Sequence, residues 1–250
     1  MLKISIITPV YNARAYIDAT VQSVLNQSYE NWEYILIDDV STDGSFEYLK
    51  KKYSEHKNIT VIQAPTNVGA GLARNIGLEN ANYDCIAFLD SDDIWDSNKL
   101  SSQVQFMTDK NLAIVHTSYS FIDDVGKDIV GKVNVDEVVD LNRYMRTTQI
   151  GMSTVLVDRS KTGDFRLDSI RTRQDTKLWI SLLSMGNVSH GLNQTLVKYR
   201  VRPGQISGNK LIIAWRTFKV YMSVDALPWY VRVFNFLFYA FSGVIKRLNN

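Results

Sequence analysis

The stretch Phe88-Leu89-Asp90-Ser91-Asp92-Asp93-Ile94-Trp95 decides how the rest of the chain is read. It overlaps the apolar run Cys85-Ile86-Ala87-Phe88-Leu89, which has the length and composition of a buried strand. The three carboxylates therefore sit where that strand ends. Like charges this close repel unless a cation lies between them, and clusters of hard oxygen donors suit Mg²⁺ or Mn²⁺. A solvated acidic turn is the competing reading, and the flanking sequence must arbitrate.

Upstream, strands and helices alternate. Ile4–Thr8 reads as a first strand ended by Pro9, which cannot donate to a ladder. Residues 13–26 have helical spacing. Trp32–Ile37 is a second strand closing in Asp38-Asp39. Ser41-Thr42-Asp43-Gly44-Ser45 is turn and cap chemistry leading into a helix to about Lys52. Ile59–Ala64 is a third strand, and residues 67–81 form a helix that begins with glycines. Strands that are apolar throughout, alternating with helices, predict a mostly parallel sheet flanked by helices, an α/β fold. In such sheets ligands bind beyond the carboxyl ends of the strands. Thr8-Pro9-Val10-Tyr11-Asn12, Asp38-Asp39 and Asp90–Asp93 would then converge on one edge. Gly69-Ala70-Gly71-Leu72-Ala73-Arg74 is no dinucleotide fingerprint, because it does not follow the first strand and Arg74 stands where glycine or alanine is required.

Downstream, Lys99–Lys110 reads as a helix and Ala113–Thr117 as a strand. The parallel rhythm then stops. Residues 118–135 resemble an antiparallel hairpin turning at Asp124-Val125-Gly126-Lys127. Thr154–Val157 is a short strand, Asp175–Met185 a helix, Leu196–Arg200 a strand, and Val201–Ser207 a loop.

The chain has 250 residues, 45% hydrophobic and 22% charged, as in soluble globular proteins. The single cysteine, Cys85, lies in an apolar strand and excludes an internal disulfide, which fits a reducing cytoplasm. His56, His116 and His190 show no metal-ligand spacing. The apolar start is too short for a signal peptide or a membrane span. Net charge is +2, yet residues 209–250 carry Lys210, Arg216, Lys219, Arg232, Lys246 and Arg247 against Asp225 alone. A basic tail on a mildly acidic body points to a local anionic partner and away from nucleic acid.

That tail reads as two helices, Leu211–Val224 and Trp229–Leu248, broken at Pro228. In the second, Arg232, Asn235, Tyr239, Ser242 and Lys246 form one narrow stripe, and Phe234, Phe236, Leu237, Phe238 and Phe241 belong to a broad apolar remainder. Aromatics, apolar breadth and flanking positive charge fit a helix lying in a membrane interface. Packing on the body, or on a second copy as a homodimer through these helices, is the competing reading.

Several segments together resemble the family-two inverting glycosyltransferases of the GT-A (nucleotide-diphospho-sugar transferase) fold, of the bacterial polysaccharide-assembly type. They are ISIITPVYN, YILIDDVSTDGS, NVGAGLARNIGL, IAFLDSDDIW, QDTKLWISLL and YRVRPGQIS, in order from Ile4 to Ser207. The resemblance implies a catalytic domain over residues 1–207, with a nucleotide-sugar half (1–117) and an acceptor half (118–207), followed by amphipathic helices over 208–250. It also implies a UDP-sugar donor and a divalent metal, Mn²⁺ or Mg²⁺. By analogy Pro9, Tyr11, Asn12 and Asp39 would hold base and ribose, with Asp38 and Glu33 nearby. Arg74 would reach uracil or diphosphate. Asp90 and Ser91 would lie against ribose or metal, and Asp92 and Asp93 would hold the metal.

Asp175 would be the general base for the acceptor hydroxyl, though a helix cap accounts for an aspartate there equally well. The chain departs from the family in Gln174, where an acid is usual, and in Arg202, where relatives often carry histidine. Arginine pairs with phosphate and cannot ligate a metal; Arg200 is a further phosphate candidate. The implied acceptor is lipid-linked (polyprenyl diphosphate) or an oligosaccharide, in O-antigen or capsule assembly on the cytoplasmic face of the bacterial inner membrane, where the enzyme would be peripheral. Two other functions compete. A nucleotidyltransferase would need a glycine-rich basic loop after the first strand, and Val10-Tyr11-Asn12-Ala13 is not one. A non-catalytic nucleotide-sugar-binding module would bind donor without turnover.

Overall fold

The computed structural model describes residues 2–202 and 210–248. The expected loop from Pro203 to Ser207 lies outside the described residues, as do the side chains of Ser242 and Lys246.

The first half alternates as expected: β1 (Ile4–Val10), α1 (Ile17–Leu25), β2 (Trp32–Asp38), α2 (Ser45–Tyr53), β3 (Ile59–Gln63), α3 (Ala70–Glu79) and β4 (Cys85–Phe88). There follow β5 (Ile94–Trp95), α4 (Lys99–Asp109), β6 (Ile114–Ile122), β7 (Asp128–Val133), β8 (Val138–Val139) and α5 (Leu141–Thr147). A single 3₁₀ turn, Met152–Thr154, leads to β9 (Leu156–Asp158) and α6 (Arg159–Thr162). Last come α7 (Gln174–Ser184), β10 (Ser189–Arg200), α8 (Lys210–Met222) and α9 (Trp229–Leu248). Among the described residues the strands form one sheet, ordered β3-β2-β1-β4-β9-β6-β10-β5, with β7 on β6 and β8 on β10. β3, β2, β1 and β4 are mutually parallel, and β9 joins antiparallel to β4 and β6. Two apolar cores cover the two faces. One includes Ile7, Phe88, Trp179 and Leu182, and the other Ile6, Leu36, Val21 and Leu100.

Pro9 does not end β1, as the sequence led us to expect. The strand continues to Val10, paired with Asp38 on β2. Its tolerance has a simple cause. Ile7 and Pro9 face β4, but pairing with β4 ends at Ile7–Phe88, with Leu89 N–H donating to the Ile7 carbonyl. The missing N–H of Pro9 faces no strand.

β6 and β10 are longer than their apolar runs predict, because polar residues lie inside them. They pair in parallel, with register shifts around Thr195. There His116 is fully buried, its Nδ1 2.8 Å from Ser189 Oγ and its Nε2 without a partner among the described residues. Burial pushes this imidazole down from 6.5 to about 4. The folded state thus prefers the neutral ring. Its contribution to stability is complete above pH 6.5 and is lost as pH falls through 4, in all roughly 3 kcal/mol. His116→Asn is expected to lose less melting temperature than the wild type between pH 7 and pH 4, as read by thermal denaturation. Parallel pH curves for the two proteins would refute this.

Candidate active site

The carboxyl ends of β1, β2 and β4 do meet at one edge, fixed by register. Val10 pairs with Asp38, and Ile7 with Phe88, so Tyr11, Asp39 and Asp90 leave the sheet side by side. Tyr11 projects into solvent, 53% exposed. Asn12 is held beneath it in the left-handed region (φ 48°). Its Oδ1 accepts from Thr42 N–H at 2.8 Å, and its own N–H donates to Ser41 Oγ at 3.0 Å.

Asp38 and Asp39 are both buried. Asp38 Oδ2 accepts from Ser41 N–H at 3.0 Å, and Oδ1 has no partner among the described residues. Asp39 accepts from Val68 N–H (2.7 Å) and Gly69 N–H (2.8 Å), so it pins the loop that opens α3. Glu33 is not brought to this edge. It stands near the amino end of β2, accepting from Ser5 Oγ, Asn82 N–H and Asn82 Nδ2, each at 2.6 Å. Five residues of strand separate it from Asp38, about 16 Å. The expectation that Glu33 lies near the nucleotide is corrected accordingly.

The acidic stretch divides into two kinds of carboxylate. Asp90 and Asp92 face arginines: Arg74 Nη2 pairs with Asp90 Oδ1, and Arg202 Nε with Asp92 Oδ2 at 2.8 Å. Asp93 turns inward and is fully buried. Its Oδ2 accepts from Ser153 Oγ at 2.6 Å and its Oδ1 from Arg200 N–H at 3.0 Å. Burial first, then the neighbouring Asp90 and Asp92 charges, raises the Asp93 carboxyl well above its ordinary range. The same causes, burial and then Asp90, raise Asp92. Asp93 is thus part of the floor, and its expected place among metal ligands is corrected.

Ile94 and Trp95 explain why. They form β5, paired antiparallel with Lys198 and Val197 of β10, which draws the preceding aspartate under the loop. Ser91 contributes through its backbone, since Thr20 Oγ1 lies 3.0 Å from the Ser91 carbonyl and 2.9 Å from that of Asp93.

Arg200 is likewise corrected from phosphate binder to clamp. It is buried, with Nε donating to the Asp92 carbonyl at 2.8 Å and Nη1 to those of Asp123 (2.9 Å) and Asp124 (3.1 Å). Arg202 stays half-exposed. It stacks over Tyr16 at 5.0 Å, and Arg200 does so at 5.1 Å.

The start of α7 comes to the same edge by close packing on α3. A Cβ on Gly71 would lie 2.8 Å from the Asp168 carbonyl and 3.4 Å from the Gln174 side chain, so only glycine permits the approach. Asp175 therefore sits one residue beyond a contact with the helix that carries Arg74. It forms no ion pair among the described residues, and its Oδ1 lies 3.4 Å from Thr176 Oγ1. Arg173, which precedes α7, provides no side-chain cap.

Sequence reading did not find Ser153, Thr20 or Tyr16. Ser153 accepts from Asp90 N–H (3.0 Å) while donating to Asp93, and so fixes both ends of the acidic stretch. A lone serine in a loop carries no signal of such a role. Nor did sequence single out the ring cluster of Tyr119, Phe121 and Tyr199, with centroids 5.6–6.2 Å apart. Burial and the nearby acids raise the Tyr199 hydroxyl.

Residues 5–164 match the model of glycosyl transferase family 2. TuaG of Bacillus subtilis (strain 168), whose name refers to teichuronic acid biosynthesis, is 40% identical over 98% of this chain and 97% of its own. The chain belongs to glycosyl transferase family 2. Another relative of this glycosyltransferase is WfgD of Escherichia coli, named a UDP-Glc:alpha-D-GlcNAc-diphosphoundecaprenol beta-1,3-glucosyltransferase. It is 38% identical, covering 83% of this chain and 80% of its own. The fold matches S. aureus TarS solved with UDP-GlcNAc (TM-score 0.74, 20% identity, 96% of this chain and 72% of that one), and is the GT-A fold.

Proposed function

We propose that this glycosyltransferase moves a sugar, with inversion, from a UDP-sugar to a lipid-linked or oligosaccharide acceptor in bacterial surface polysaccharide assembly. The observation that carries this reading is the close packing of α7 on α3. It sets Asp175, a carboxylate with no ion pair among the described residues, one residue beyond a contact with the helix that carries Arg74.

The donor side follows from that arrangement. Tyr11, exposed on a pinned backbone, offers a ring face to uracil. Asp38 and Asp39 shape the floor beneath the nucleoside. Asp90 and Asp92 suit a divalent cation. They are hard oxygen donors, Asp90 raises the Asp92 carboxyl electrostatically, and the ion pairs use only one oxygen of each. Asp93, whose two oxygens accept from Ser153 Oγ and the Arg200 N–H, leaves Asp90 and Asp92 as the carboxylates facing the cation. Two carboxylates with substrate phosphates completing the shell is a usual arrangement for Mg²⁺. When bound, such a cation neutralises charge growing on the leaving diphosphate. Arg74 and Arg202 face the same region and supply fixed positive charge. On the acceptor side, Asp175 takes the proton of the attacking hydroxyl as the glycosidic bond forms on the face opposite the departing diphosphate.

The acceptor class draws on WfgD, whose name specifies a diphosphoundecaprenol-linked acceptor, and on α9. Among the described residues no helix is long and apolar enough to cross a membrane. α9 instead turns Phe234, Leu237, Phe238 and Phe241 outward, and the basic excess of residues 209–250 complements an anionic lipid surface. The enzyme is then peripheral on the cytoplasmic face of the inner membrane. A screen of nucleotide sugars with Mn²⁺ and with Mg²⁺, reading released nucleotide, tests the enzyme. One UDP-sugar is expected to be turned over when either cation is present. Binding without turnover would favour a non-catalytic module, and no binding of any donor would reject the reading.

A further inference from the structure

Three arginines lie on or against the segment that leads into α7, and among the described residues none has a carboxylate partner. Arg171, Thr172 and Arg173 are consecutive, and Arg216 on α8 donates through Nη1 to Thr172 Oγ1 at 2.9 Å. Arg171 donates to Asn67 Oδ1 at 3.0 Å, and Arg173 to the Tyr239 hydroxyl on α9 at 3.0 Å. Several other arginines take acids, Arg74 with Asp90, Arg143 with Asp136, Arg159 and Arg166 with Asp164, and Arg202 with Asp92, whereas Arg146 and Arg200 are taken up by an amide and by backbone carbonyls. Among the described residues none of Arg171, Arg173 and Arg216 does so. Arginines whose remaining N–H groups meet no carboxylate can take phosphate oxygens through charge-assisted hydrogen bonds.

One further feature favours an anion. Arg173 immediately precedes α7. Behind it the first N–H groups of α7, an eleven-residue helix, receive no side-chain cap.

We propose that this patch receives the diphosphate of a polyisoprenyl-diphosphate-linked acceptor and presents its sugar to Asp175. The location supports that source over the donor. The patch lies at the start of the base-bearing helix and bridges to α8 and α9, which pack together through Phe218 and Phe236 at 5.0 Å. Next to Arg216, Trp215 is 57% exposed. An anion held here has apolar helix surface on its lipid side and Asp175 two residues from Arg173. The proposal rests on the lipid-linked acceptor reading above.

The test uses the full-length protein with farnesyl diphosphate, farnesol and UDP as probes, titrated calorimetrically. The variants are Arg216→Gln, on the exposed side of α8, and the double variant Arg173→Gln/Arg216→Gln. Farnesyl diphosphate affinity is expected to fall about tenfold in Arg216→Gln and further in the double variant, as for loss of a charge-assisted phosphate contact. UDP affinity is expected to stay within about twofold, the scale of a distant neutral change. An equal loss for UDP would assign the arginines to the donor and overturn the proposal. Unchanged farnesyl diphosphate affinity in both variants would overturn it as well, as would an equal loss of binding to phosphatidylglycerol vesicles, which marks a general anionic contact. If the wild type binds UDP and turns over a UDP-sugar but ignores farnesyl diphosphate, this inference fails and the glycosyltransferase reading stands.

Discussion

Asp175→Asn is expected to lower sugar transfer by about 10²- to 10⁴-fold while leaving donor binding intact, the range for loss of a positioned general base. Asparagine matches aspartate in size, so the packing of α7 on Gly71 should survive. What disappears is the only group in that turn able to accept a proton from an attacking hydroxyl. The neighbouring Gln174 cannot substitute, since an amide is not basic. Two assays separate binding from chemistry: the UDP-induced shift in melting temperature, expected to match the wild type, and released UDP in the presence of acceptor, expected to collapse. A variant that loses both has lost the fold of the site and says nothing about the base. A variant that keeps full transfer places the base elsewhere. Because Asp175 forms no ion pair among the described residues, its removal leaves no described cation without its partner, which makes the comparison clean.

The parallel half of the sheet was legible because its strands are buried on both faces and read as unbroken apolar runs. The acidic stretch was legible as the end of one of them. What the residues conceal is direction and depth. Asp90, Asp92 and Asp93 look alike in sequence, yet Asp93 lies beneath the other two because the two-residue strand Ile94–Trp95 pairs with β10. Two residues have no period to detect. Arg200 and Arg202 are similarly alike in sequence and opposite in role. Arg200 ends a buried strand, and its guanidinium is taken up by backbone carbonyls, whereas Arg202 lies past the strand and keeps an exposed edge. Glu33 was excludable in principle, because the second residue of a parallel strand lies at the edge opposite the binding crevice. β6 and β10 were under-read because His116, Thr117, Ser118, Asn193 and Thr195 interrupt their apolar runs.

The last helix reverses the usual rule, and with it comes the second large effect. An amphipathic helix on a soluble protein normally turns its polar stripe to water. In α9, Asn235 and Tyr239 of the stripe face inward. Asn235 is fully buried, accepting from Arg146 Nε at 2.7 Å and donating to Asn142 Oδ1 at 2.9 Å, and the Tyr239 hydroxyl meets Arg173. α5 supplies the partners of Asn235, and Arg173 before α7 that of Tyr239, so these two polar groups are satisfied against the body. Of the apolar residues, Phe236 packs inward against Tyr221 and Phe218. Phe234, Leu237, Phe238 and Phe241 remain 55%, 60%, 41% and 64% exposed. About half of each side chain can still leave water on docking, worth about 1 kcal/mol apiece and about 4 kcal/mol together. Replacing all four by serine is therefore expected to weaken partition onto anionic vesicles about a thousandfold. Deleting Trp229–Asn250 would be a poorer test, because it also strips Asn142, Arg146 and Arg173 of their partners. Serine on the outer face keeps those hydrogen bonds and removes only the stacking of Arg146 over Phe234 and Phe238, so the melting temperature should fall by a few degrees at most while vesicle co-sedimentation is lost. Undiminished co-sedimentation would remove the membrane from the account of α9. A change from dimer to monomer in light scattering, with vesicle binding unaltered, would instead assign the face to a second copy of the chain.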